Sequence, residues 1–397
     1  MSKFFTTMSL AVVAFVLMLT AVVPMARAAG NTADFAFDLY ARHEGDRGNV
    51  FFSPYSLSSA LGMTLEGARD KTAAQMIQVL GLDADPVARL GKAKALLSRM
   101  NTAGKPYELS TANALWIQQD FMILDDYLGL VRDVYAGEAS ALDFAADAEG
   151  ARLTINSWVM ERTHQRIKDL IPSGALNPAT RMVLTNAVYF KGKWDQPFEK
   201  EQTLPEAFQL AGGEQVTADM MHASHGALFM EDDMVQMLEL PYQGNDLVMR
   251  IILPKNGPGL FPQGLNTARL AQWSAALKMV EPVDIALPKF TFGASYVLND
   301  DLVALGMTDA FDASVADFSA MTGGKDLFIG KVLHKAWVEV SEEGTEAAAA
   351  TAVMMVGKGM PPPPKVFHAD HPFIFLIQDK VSGEILFMGR VMDPTKG

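Results

Sequence analysis

From residue 181 onward the sequence keeps returning to short runs of β-branched and aromatic residues, and this succession limits the fold more than any other feature. RMVLTNAVYF (181–190), VQMLELPY (235–242), DLVMRIILP (246–254), VDIALPKFTF (283–292) and DLFIGKVLHKAWVEVS (326–341) read as strands. FIFLIQ (373–378) and EILFMGRV (384–391) follow, with DKVSG between them as a hairpin loop. The first half reads as mainly helical. NTADFAFDLYARH (31–43) has helical spacing, and SPYSLSSALGMTLEGA (53–68) places Ser53 as an N-cap with Pro54 in the first turn, where proline is tolerated. TAAQMIQVLGL, PVARLGKAKALLSRM and AEGARLTINSWVMERTH continue the helical series. Helices first and mainly strands later predict an α+β fold. No repeat and no linker appears before residue 354, so 29–397 is expected to form a single domain.

Residues 1–28 are expected to be a secretory signal peptide. Lys3 supplies a basic start, SLAVVAFVLMLTAVV is an apolar run of 15 residues, and Ala26-Arg27-Ala28 has the small-x-small cleavage pattern. The run is short of the ~20 residues that span a bilayer. Cleavage after Ala28 leaves 31 basic and 46 acidic residues, a net charge of −15. Such acidity argues against nucleic acid and anionic membranes as partners. The signal peptide makes the expected location secreted or periplasmic. There are no cysteines, so thiol chemistry and cysteine metal sites are excluded. With no N-x-S/T site after residue 28 either, the chain fits a bacterial source.

Motifs for enzymatic chemistry are missing. No G-x-S-x-G elbow, P-loop or helix-opening G-x-G-x-x-G occurs, so no nucleotide cofactor is expected. His222/His225 (HASH) and His368/His371 (HADH) are weak hints of metal ligation without a Glu partner at helical spacing, and no metal is expected. No basic helix face stands out as a polyanion site.

The strand ending at Ser341 runs into EEGTEAAAATAV (342–353) and then, at 361–364, into four prolines. Alanine favours helices and disfavours strands. Projecting the two-residue strand period forward puts Thr345, Ala347, Ala349, Thr351 and Val353 on one face, small and uncharged throughout. Glu346, Ala348, Ala350, Ala352 and Met354 fall on the other. Such a segment could slide into a narrow slot in a sheet. A flexible alanine-rich linker or a helix end is the competing reading.

EEGTEAAAATAV resembles the hinge of the serpin family. NVFFSPYSLSSALGMTLEGARDKTAAQM (49–76), LTNAVYFKGKWDQPF (184–198), LPKF (287–290), ADFSAM (316–321) and HADHPFIFLIQDKVSGEILFMGRVMDP (368–394) are also similar to family motifs, in the family's order. The resemblance implies three β-sheets, eight or nine helices and an exposed reactive loop over about 342–364. It implies a suicide-substrate inhibitor of a serine protease, not an enzyme. The protease forms an acyl-enzyme with the loop, and the freed loop enters the main sheet and carries the protease with it.

Several roles follow from that likeness. Glu342 and Gly344 begin the hinge, Thr345 is the first residue to insert, and Glu346, Ala347, Ala348, Ala349 and Ala350 follow. Counting 17 residues from Glu342 puts the reactive bond at Lys358-Gly359, which suits a trypsin-like protease. The stretch after it, GKGMPPPP, departs from the simplest pattern, and slipping the count places the bond after Met355 or Met360 instead, favouring chymotrypsin- or elastase-like enzymes. Ser53, Ser56, Asn186 and His334 match the polar cluster beneath the sheet, and Trp194 matches the residue at its top. The implied partner is a serine protease held covalently by a monomer. A non-inhibitory carrier or chaperone is the alternative.

Overall fold

The computed structural model describes residues 32–345 and 364–397, except 101, 103 and 260. Among these residues the strands form two hydrogen-bonded sheets. The smaller has six strands. Its path runs from Phe290–Val297 through Lys331–Val340, Met182–Lys193 and Tyr107–Gln118 to Glu138–Leu142, and the short strand Gly344–Thr345 joins Met182–Lys193. The larger has nine strands and turns about Gln215–Glu231. That strand pairs with Leu204–Gln209 over residues 215–220, with Lys278–Pro288 from Met220 to Phe229, and with Val235–Pro241 over its last four residues. A register shift between His225 and Ala227 marks the bend. Taken as two halves joined at that bend, the larger sheet makes up, with the smaller one, the three sheets expected. Nine α-helices accompany them among the described residues, and the α+β class holds.

One helix sets the architecture. Pro54–Leu65 is buried at eleven of its twelve positions, including Leu57, Leu61, Met63 and Leu65. A helix buried on nearly every side, with only short hydroxyl side chains among its apolar ones, belongs inside a domain. Each such side chain contributes about 1.5–3 kcal/mol by leaving water. Its start is set as the sequence predicts: the Ser53 hydroxyl accepts from Ser56 N–H at 3.1 Å, with Pro54 in the first turn. The helix packs on both Tyr107–Gln118 and Met182–Lys193.

The other face of the small sheet lies under the helix Ala148–Arg162. Ile155 and Val159 pack there with Ala114, Trp116, Val183, Ala187 and Leu333. Sheet strands covered on both faces read as nearly continuous hydrophobic runs, and Met182–Lys193 is buried at every position from 182 to 190.

The strand VDIALPKFTF (283–292) is in fact two, Lys278–Pro288 and Phe290–Val297, and they belong to different sheets. Pro288 ends the first by removing a ladder donor. Tyr107–Gln118 also breaks the expectation that the first half is mainly helical. Among the described residues no helix is long and apolar enough to cross a membrane.

Candidate functional site

Two strands of the small sheet run parallel. Lys331–Trp337 pairs with Val183–Tyr189 in continuous register. The opposite edge of Met182–Lys193 is taken by Tyr107–Gln118, as far as the pair Tyr107 and Gly192. Beyond Tyr189 the parallel strands part, and the chain folds back through a turn at 341–344. Gly344 then pairs with Lys193, and Thr345 with Gly192, antiparallel to the central strand. Gly344, which closes the turn, and Thr345 thus already sit at the mouth of the parallel pair.

The turn is fixed by its surroundings. Gly344 has φ +140°, and a Cβ there would lie 2.1 Å from Gly192 O, so only glycine fits. Trp194 stacks on Tyr242 with ring centroids 4.6 Å apart. Its backbone N–H donates to Glu343 O and its Nε1–H to Ser341 O, each at 3.0 Å. Thr345 is fully buried, with its hydroxyl 3.0 Å from that of Tyr242. The Glu342 carboxylate accepts from Thr203 Oγ1 at 2.8 Å and Lys289 Nζ at 3.1 Å. Burial of Glu342 opposes its charge, but its own backbone N–H, Thr203 and Lys289 outweigh this and leave the carboxyl below its ordinary range. Lys200 Nζ lies 2.5 Å from Glu343, whose other carboxylate oxygen is buried without a partner.

Lower in the same strand pair is a buried polar cluster. His334 Nδ1–H donates to Asn186 Oδ1 at 2.5 Å, across the two parallel strands. His334 Nε2 accepts from Ser53 N–H at 3.1 Å, so both ring nitrogens are engaged only in the neutral tautomer. Burial pushes the His334 pKa down to about 3. Asn186 Nδ2 donates to Ser56 Oγ and to Asn113 Oδ1, each at 2.5 Å. The Ser53 hydroxyl donates to Leu386 O at 2.6 Å.

The structure therefore brings Ser53, Ser56, Asn186 and His334 into one network, and Glu342, Gly344, Thr345 and Trp194 together around one turn. Residues 346–350 of the hinge, Lys358 and Gly359, the alternatives Met355 and Met360, and the segment 1–28 lie outside the described residues. Sequence reasoning missed Asn113, which faces Asn186 in register, because Tyr107–Gln118 was not recognised as a strand. It also missed Tyr242, Thr203, Lys200 and Lys289, which meet the turn from distant parts of the chain.

The histidine motifs separate. His222 and His368 approach with ring centroids 6.2 Å apart, and His222 lies 2.9 Å from Glu206. His225 bonds Gly226 O, and His371 bonds Asp370 and Pro254 O. Among the described residues no group of three or more His, Cys, Asp or Glu side chains could hold a metal ion.

Residues 30–394 match the family model for serpins, serine protease inhibitors. An uncharacterized serpin-like protein of Thermococcus kodakarensis is 45% identical over 366 residues, covering 91% of this chain and 85% of that one. The leukocyte elastase inhibitor of Bos taurus is 41% identical, covering 92% and 99%. The crystal structure of human thyroxine-binding globulin complexed with thyroxine superposes with a TM-score of 0.84 at 31% identity, covering 92% and 98%. Sequence and fold agree, and the chain belongs to the serpin family.

Proposed function

We propose that the protein is an exported suicide-substrate inhibitor of a trypsin-like serine endopeptidase, with Lys358-Gly359 as its reactive bond. The observation that carries this reading is the antiparallel seating of Gly344 and Thr345 where the two parallel strands part. Each further step along the loop moves one residue back along the central strand. Ala347 would then face Phe190, Ala349 Val188, Thr351 Asn186 and Val353 Leu184. Phe190, Val188 and Leu184 all point into apolar core. The small, uncharged face of the hinge is thus the one that would turn inward, and Glu346 would turn to the opposite face beside Lys191. Thr351 would arrive at the His334–Asn186 bond and offer a hydroxyl to the groups its entry separates.

Energetics favour the exchange. Insertion replaces one parallel pairing by two antiparallel ones, and parallel pairing is slightly weaker per residue. A dozen new ladder bonds at ~1 kcal/mol each add on the order of 10 kcal/mol, comparable to a domain's stability. The intact form is then held by a kinetic barrier. No cofactor takes part. The basic start, apolar run and Ala28 cleavage pattern support export to the periplasm or beyond.

Incubation with trypsin tests this directly. A complex that survives a denaturing gel, with release of a peptide beginning at Gly359, is the expected result. A peptide beginning after Met355 or Met360 would move the bond and the protease class. Clean cleavage without a complex, with every serine protease tried, would sink the inhibitory reading. It would favour a carrier, the reading that likeness to a thyroxine-binding protein suggests.

A further inference from the structure

A cavity of about 530 Å³ opens between the helices Pro54–Leu65 and Pro86–Met100 and the hairpin turn at 380–384, and it shares no residue with the hinge or the polar cluster. That volume suits a small organic molecule. Leu82, Leu96, Leu97 and Tyr55 supply apolar wall. Ser58 and Ser59 also line it, and their buried hydroxyls have no hydrogen-bond partner. A buried hydroxyl without a partner is destabilising, and a ligand that supplies one relieves it.

Charge around the cavity is unbalanced. Glu66 holds Arg89 at 2.7 and 2.9 Å, Asp83 holds Lys92 at 3.0 Å, and Asp379 holds Arg99. Each cation thus has its own carboxylate, and Glu384 is left over. Its Oε2 accepts from Thr32 Oγ1 at 2.7 Å, and among the described residues no cation lies within ion-pair distance. Burial holds this carboxyl above its ordinary range.

We propose that the cavity binds a small molecule with an apolar body and one protonated amine, the ammonium paired with Glu384 and the body lying against Leu82, Leu96 and Leu97. An anionic ligand would find every cation already neutralised and would add charge beside four carboxylates. Ser58 and Ser59 lie just beyond Ser53 and Ser56 on the same stretch of chain, so an occupant braces this helix in the intact form.

Titration calorimetry of the intact full chain with phenylbutylamine, phenylbutanol and phenylbutyrate tests the assignment. The amine is expected to bind one site about tenfold or more tighter than the alcohol, and the acid more weakly still. Glu384→Gln is expected to lower the amine to the level of the alcohol. Leu96→Trp fills the cavity and is expected to abolish binding of both, with thermal melting as the check on folding. Binding of the acid as tight as that of the amine overturns the proposal. So does an amine that gives no saturable heat, or one whose binding neither variant changes.

Discussion

The imidazole of His334 should make the intact fold acid-sensitive in a defined window. Its two nitrogens are committed, one as donor to Asn186 and one as acceptor from Ser53 N–H. A second proton would remove the acceptor and place a charge in a fully buried site. Burial holds the folded pKa at about 3, against about 6.5 in an unfolded chain. Between those values the unfolded chain binds the extra proton and the native chain does not. The contribution of this group is therefore complete above about pH 6.5 and is lost as pH falls towards 3. Integrated from about pH 7 to about pH 4.5, the loss from this one residue is about 2.5 kcal/mol. His334→Gln keeps a donor and an acceptor but cannot titrate. Urea denaturation of both proteins across that range isolates the effect, because their remaining ionisable groups are the same. The wild type should lose about 2.5 kcal/mol more than the variant in the first unfolding transition. A stability difference that stays constant, or shifts in the wild type's favour on acidification, refutes the reasoning.

Three further outcomes follow from the same geometry. Asn113→Ala removes the oxygen that receives Asn186 Nδ2 and Ser56 Oγ; it should cost about 1–3 kcal/mol for each donor left unmet, read as a lower melting temperature of the intact chain. Gly344→Ala puts a Cβ 2.1 Å from Gly192 O; it should unseat the turn at a cost of about 1–3 kcal/mol, visible as a change in the fluorescence of Trp194, which stacks on Tyr242. On the proposed mechanism, Ala349→Arg should leave a chain that trypsin cleaves without a stable complex; a variant that still traps the enzyme would contradict the inward-facing register.

The parts of the fold legible in the sequence were those with strong local signals. Ser53 as a cap and Pro54 in the first turn mark a helix start by local chemistry alone, and the run at 373–378 is so apolar and rich in aromatic and β-branched residues that it reads as a buried strand. Gln215–Glu231 went unseen because it is rich in alanine, histidine and methionine and half-exposed, with no alternation to read. Tyr107–Gln118 went unseen because its burial comes from helices packed on both faces rather than from its own pattern. The polar cluster was legible only through family likeness. Nothing local in Asn186 or His334 says that they meet across two strands 148 residues apart. Asn113 had no such marker, and only the register of the strands reveals it.

The whole account rests on the intact molecule being less stable than its cleaved form, and calorimetry of the chain before and after limited trypsin cleavage addresses this without a target protease. A gain on the order of 10 kcal/mol in a chain of this size should raise the melting temperature by at least about 10 °C. An unchanged melting temperature after a clip within the reactive loop would contradict the account.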